Sequence, residues 1–405
     1  MRPAPSTPSR RLFRSALLGL ASFLVTGCEG FKQSPPDAPD ALRCTEIVAG
    51  GDDGSALEEA LSTAAPGACV VVVSKTYKGS FVVPRGVTLA SAKNQRAILT
   101  GATADKPAIS LVGGDGSALC GLSVLESLGL GVAVRGGPVV IKDVTIEKSA
   151  KTGLAASCDN CGAAEKHVYT DVRVRGSAVG VQLRGAMVEW TGGEVTESNS
   201  PSLSGGAGLV VQEGARLTLS KVAIERNQAV GLLVDGKGTT AALDGVIVRA
   251  NGERGIWAQR LEGARTLSIG GTSLIENNAL VGVGVYRSAG VSIENSEIRG
   301  TQLRPTLIDL KTAQVGDGLL IAQASVSVSK TKLIGNARAQ ALVDTPSGAV
   351  AFAETTVQAP EGGYKVVVQN DANNGRNVTV DEADLSKVAQ ALVVLPAVDV
   401  ARVAP

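Results

Sequence analysis

Three segments of this chain place an asparagine four residues before a glycine that opens an apolar run: "RNQAVGLLV" (Asn227, Gly231), "ANGERGIW" (Asn251, Gly255) and "ENNALVGVGV" (Asn278, Gly282). The opening glycines form a series: Gly131, Gly153, Gly180, Gly208, Gly231, Gly255, Gly282 and Gly318, with spacings of 22, 27, 28, 23, 24, 27 and 36. Two further units begin near Ala341 and Lys365. A basal period near 23 with longer excursions describes one fixed unit carrying loops of variable length. Each unit holds two strand-like runs. In "GLVVQEGARLTLSKVAIERN" the apolar residues Leu209, Val211, Leu217, Leu219, Val222 and Ile224 alternate with polar ones. That period of two belongs to strands with one buried face.

Short strands at this period predict an all-β fold, a right-handed parallel β-helix. Roughly 11–12 coils stacked at about 4.8 Å would make a rod on the order of 50–60 Å long. The asparagine then sits at a corner, above its equivalent in the next coil, and tolerates the left-handed backbone a tight corner needs. Asn227, Asn251, Asn277 or Asn278, and Asn336 are expected to form the ladder, with Asn199 before it. The glycine four residues later lets the chain re-enter a strand without Cβ crowding.

"SALEEALSTAAPG" (Ser55 to Gly67) reads as a Ser-capped amphipathic helix covering the open end of the stack. The stretch that follows, "CVVVVSKTYKGSFVVPRGVTLASA", resembles the opening coil of the pectin-lyase-like superfamily. Thr76, Tyr77, Gly79, Gly86, Val87, Thr88 and Leu89 carry the likeness. The resemblance implies the β-helix and says little about activity.

Residues 1–27 read as a lipoprotein signal peptide. Arg2, Arg10, Arg11 and Arg14 precede a short apolar run, and "VTGC" resembles a lipobox ending at Cys28. "SRRLF" also resembles a twin-arginine export signal. Residues 28–43, rich in Pro, Asp and Ser, form a flexible tether; 44–67 are the N-terminal cap, 68–385 the β-helix and 386–405 a C-terminal tail or cap. Acylated Cys28 would make the membrane a partner and place the chain, as a monomer, at the cell envelope. Glu29 in the next position favours the outer membrane. The cysteines suit an oxidising compartment. Cys158 and Cys161 form a C-x-x-C that reads as a disulfide; Cys44 and Cys69 are placed to staple the cap; Cys120 reads as a buried free thiol. His167 is the sole histidine and lacks companions for a metal site, so no metal or cofactor is expected.

Of the 39 basic residues, four precede Cys28, which leaves 35 against 38 acidic residues and a net charge near −3. That balance and 3% aromatic content give no support for nucleic-acid binding. Taking Ala223 as reference, one outward column is expected to run Thr145, Arg173, Glu194, Ala223, Ile247, Ser273, Glu297, Lys332. A second runs Glu147, Arg175, Thr196, Glu225, Arg249, Ile275, Arg299. Neither stacks carboxylates in adjacent coils, as acid–base chemistry on a glycosidic bond would need. Trp257 is expected to project outward and Trp190 inward. The widest unit, "RGTQLRPTLIDLKTAQVGDG", offers Arg304, Asp309, Lys311 and Asp317 as candidate catalytic residues. The sequence therefore favours a non-catalytic, membrane-anchored β-helix that binds a glycan or an envelope partner or acts as a rigid scaffold. The alternative is a divergent polysaccharide lyase or glycoside hydrolase acting on acidic polysaccharide.

Overall fold

A computed structural model describes residues 44–47, 54–158, 161, 165–200, 206–308, 311–371, 377–388 and 390–398, with backbone alone at 44–47, 311 and 382. Cys28 and the signal segment lie outside the described residues. The chain is a parallel β-solenoid of about 12 turns with three strands per turn. Strands Lys166–Arg175 and Met187–Thr196 run through the corner between the first two faces, so one hydrogen-bonded sheet holds both. The third face stacks twelve parallel strands, from Phe81–Val83 to Tyr364–Gln369.

The interior follows from the period-two pattern. On the first face one inward column runs Leu89, Leu119, Ile141, Tyr169, Trp190, Leu219, Leu243, Ile269 and Ile293. On the second, Ile146, Val174, Val195, Ile224, Val248, Ile275 and Ile298 stack the same way. All are essentially inaccessible and belong to one continuous core. Branched side chains repeating at the inter-strand spacing bury their whole apolar area, each worth about 1.5–3 kcal/mol.

The cap helix spans Ser55–Thr63 and buries Leu57 and Leu61 against the first coil. Its N-cap is Gly54 at φ 77°, not Ser55, and no side chain caps it. A Cβ at Gly54 would stand 2.8 Å from the Lys78 carbonyl oxygen, so the close approach to the next strand selects glycine over a capping serine.

The corner between the second and third faces carries the ladder. Asn227 Nδ2 donates to Asn251 Oδ1 at 2.9 Å, and Asn251 Nδ2 to Asn278 Oδ1 at 2.9 Å. Each amide also donates to the carbonyl of a strand in the preceding coil: Val195, Ile224 and Val248. The ladder residue is Asn278; Asn277 is exposed beside it at φ 54°. The left-handed residue precedes the ladder residue in every coil, as Glu197, Arg226, Ala250 and Asn277 do at φ 52–58°. The asparagine is thus kept for its amide, and the strained backbone falls on a position that accepts Glu, Arg or Ala. The position before Asn227 is taken by Ser198, whose N–H donates to Asn227 Oδ1 at 3.0 Å, not by Asn199. Thr301 stands between Asn278 and Asn336, and its N–H donates to Asn336 Oδ1 at 3.0 Å. A Cβ on Gly231 would lie 2.7 Å from Asn251 Nδ2, and one on Gly255 2.7 Å from Asn278 Nδ2. The repeat glycine makes room for the next coil's amide.

Candidate ligand groove

Side chains four residues after each repeat glycine point outward at the end of the third-face strand. This column runs Arg135, Ser157, Arg184, Gln212, Asp235 and Gln259. At its N-terminal end lies an open groove of about 910 Å³, lined by Arg85, Arg135, Arg184, Glu165 and Glu213 and by the Cys158–Cys161 disulfide. Its floor is bare backbone. A Cβ on Gly114 would fall 2.4 Å from Arg85 Nε, and one on Gly113 would fall 2.1 Å from the Gly137 carbonyl oxygen. Arg184 grips Glu213 of the next coil through Nε and Nη2, with three hydrogen bonds of 2.9–3.0 Å. The result is a glycine-floored trench with guanidinium groups in alternate turns, a surface that hydrogen-bonds linear polar chains. The sequence reading missed it, although its signal was present: the fourth residue after Gly131 and after Gly180 is arginine.

The wide unit is a hairpin. Arg304–Ile308 pairs antiparallel with the start of Lys311–Ala322, lifting the excursion off the third face. Asp309 and the Lys311 side chain lie outside the described residues. Arg304 is exposed and donates to Gln302 Oε1 at 2.9 Å. Asp317 is fully buried on the strand itself, where Arg338 Nε donates to its Oδ1 at 2.8 Å and Arg338 Nη2 to its Oδ2. Burial pushes the Asp317 carboxyl above its ordinary range, and the Arg338 guanidinium opposes that push. Arg304 and Asp317 are therefore not brought together, and Asp317 is locked in an ion pair.

The outward columns of the second face differ from the sequence reading by one residue at two positions. Leu274 stands where Ser273 was expected, and Glu276 where Ile275 was. The corner here holds two left-handed residues, Gly271 at φ 61° and Thr272 at φ 63°, where adjacent coils hold one, and this starts the strand one residue later. With Glu276 in place the column reads Glu225, Arg249, Glu276, Arg299 in four successive coils. Arg249 Nε meets Glu225 at 2.9 Å, and Arg299 Nη2 meets Glu276 at 2.7 Å. The acids of this face serve a ladder of alternating charge.

Trp257 does project outward, as its register requires, but it is wholly buried beneath segment 386–398. Trp190 points inward. His167 is a core residue paired in register with Val188; neither ring nitrogen has a partner among the described residues, and burial lowers its pKa to about 4. Cys120 is half-buried and disulfide-bonded, which corrects the expected buried free thiol: as the last residue of its strand it is not sealed in the interior. The backbone register sets Cys44 beside Cys69, but Cys69 is not part of a disulfide, which corrects the expected Cys44–Cys69 staple: its side chain is buried in strand Cys69–Val72. Among the described residues no group of three or more His, Cys, Asp or Glu could hold a metal ion.

A family model described as right handed beta helix region matches residues 121–298. No curated protein matches the sequence. Among solved structures, the chain is similar to the Azotobacter vinelandii mannuronan C-5 epimerase AlgE4 A-module, with 14% identity over 85% of this chain and 95% of that one and a TM-score of 0.53. It is also similar to the periplasmic alginate epimerase AlgG, with 10% identity over 84% of this chain and 82% of that one and a TM-score of 0.51. At such identities the likeness is one of fold. The stacked coils, the corner ladder, the cap helix and these matches identify the chain as a right-handed parallel β-helix of the pectin-lyase-like fold.

Proposed function

We propose that this protein is a lipid-anchored envelope β-helix that binds an acidic glycan along the arginine-lined groove and does not cleave it. One observation carries the reading: Arg85, Arg135 and Arg184 line a single open trench whose floor is glycine backbone. Rigid strands fix the donors at multiples of the inter-strand spacing, so a linear polyanion meets them at regular intervals. The carboxylates support the non-catalytic part. Asp317 is buried against Arg338, and Glu225 and Glu276 are held between arginines. Two carboxylates facing each other across a cleft would instead suit glycosidic chemistry. Acylation at Cys28 would tether this groove to a membrane, with the outer membrane as the proposed location.

The test is a glycan array with the chain lacking residues 1–43, followed by titration of the acidic hits. Arg135→Ala and Arg184→Ala together should weaken binding at least tenfold, and the affinity should fall with salt. Turnover of pectin, polygalacturonate or alginate, with or without Ca²⁺, would move the function to catalysis. Loss of fatty-acid labelling in Cys28→Ala tests the anchor.

A further inference from the structure

The outward column of the third face is apolar over much of its length: Val210, Leu233, Trp257, then Leu320, Leu342 and Val367. All six are at most 1% exposed. Over the last five coils the cover is the chain's own C-terminal strap, described at residues 386–388 and 390–398, with Leu395 sealed against the same cluster. The segment is read through its backbone. Gln369 Nε2 donates to the Leu392 carbonyl at 2.8 Å and its Oε1 accepts the Leu392 N–H at 2.7 Å. Gln259 does the same for Val398, at 2.6 and 2.7 Å. Arg338 donates to the Val393 carbonyl at 2.9 Å and Arg254 to that of Pro396 at 3.3 Å. The two glutamines stand four coils apart, roughly 19 Å, and six extended residues span roughly 20 Å. Residues 392–398 therefore lie fully extended along the solenoid axis.

One group in this trough is left poorly satisfied. Arg254 is buried, with its guanidinium 4.3 Å above the Trp257 ring. It has no acidic partner among the described residues, its Nε has no acceptor, and the strap offers it one neutral carbonyl. The strap sequence "SKVAQALVVLPAV" contains no acid that could pair with it. Burying an uncompensated guanidinium is costly, and a carboxylate would offer it two charged acceptors.

We propose that this trough is a peptide-binding site occupied in cis by segment 386–398, and that its ligand in trans is an extended peptide carrying an acidic residue where Pro396 now sits. The glutamine pairs favour a peptide, since each reads the N–H and the C=O of one residue. The cis strap competes at high effective concentration, so the site opens only when the strap is displaced. This inference stands apart from the glycan reading of the arginine groove.

The full chain carrying Leu395→Asp should release the strap, because the substitution places a charge at a buried position. Acrylamide should then quench Trp257 while Trp190 stays shielded in the core. A peptide of residues 386–398 carrying Pro396→Glu should bind this variant at least tenfold more tightly than the native peptide. It should bind the wild-type chain at least tenfold more weakly than the variant. Arg254→Ala should erase the preference for the Glu-bearing peptide. A chain ending at Leu385 serves as a second released form if Leu395→Asp fails to fold. Failure of both peptides to bind either released form, or equal affinity for the two peptides, overturns the proposal. So does binding of an oligogalacturonate, and not of the Glu-bearing peptide, in the opened trough.

Discussion

Asn251 presents both of its donors to one oxygen: its backbone N–H and its Nδ2 reach Asn278 Oδ1 at 3.1 and 2.9 Å. Its own Oδ1 receives the same pair from Asn227. Asn251→Ala therefore strands two donors of Asn227 and the Ile224 carbonyl in a buried corner. The expected cost is about 3 kcal/mol, read by urea unfolding. Asn277→Ala should cost less than about 1 kcal/mol, because its exposed left-handed position is held by Ala250 one coil earlier. Equal losses would remove the distinction between the ladder and its neighbour.

Glu276 lies between Arg249 and Arg299, 3.7 and 2.7 Å away. Glu276→Gln leaves two arginines facing each other across one coil. Both are half-exposed, so water screens much of the repulsion. The variant should lose about 1 kcal/mol in dilute buffer, and most of that loss should vanish in molar salt. A salt-independent loss would mean that packing, not charge, is what Glu276 supplies.

The fold was legible because a solenoid repeats its constraints. Each corner needs the same amide, and each re-entry needs a glycine thin enough to clear it, so the period shows in the chain itself. What escaped the sequence depends on contacts that do not repeat. A corner of two left-handed residues, Gly271 and Thr272, where the adjacent coils use one, shifted two columns by one position. Asp317 read as a catalytic candidate because its partner Arg338 lies in the next coil, 21 residues away. Trp257 read as a surface aromatic because the segment that buries it is 139 residues downstream of Gln259.

His167 sits unpartnered in the core with its pKa lowered from 6.5 to about 4 by burial. The folded protein keeps the ring neutral, while the unfolded chain binds a proton below about pH 6.5. Between these values the unfolded state holds more protons, so stability rises with pH across this window and is fully present above it. The loss by pH 4 should amount to about 3 kcal/mol. His167→Leu should flatten that slope and stabilise the protein throughout, as it removes two unsatisfied ring nitrogens. Denaturant midpoints measured from pH 4 to 7 decide it; an unchanged slope in the variant assigns the acid sensitivity elsewhere.

Asp317 and Arg338 form the buried ion pair of the third face, and Arg338 also donates to the Gln314 and Val393 carbonyls at 3.1 and 2.9 Å. Asp317→Asn keeps the shape and removes the charge, leaving a buried guanidinium with neutral acceptors only. Removing one partner of such a pair costs about 3–5 kcal/mol, whereas replacing both by apolar groups is often close to neutral. Asp317→Asn should therefore lower stability by that amount, and Asp317→Leu with Arg338→Leu should recover most of it. The double variant loses the Val393 contact, so its strap should loosen, visible as increased quenching of Trp257. A catalytic Asp317 would behave in the opposite way: Asp317→Asn would leave the unfolding midpoint nearly unchanged and abolish turnover of an acidic polysaccharide. Measuring the unfolding midpoint and the release of reducing ends or unsaturated uronates on the same preparations separates the two roles.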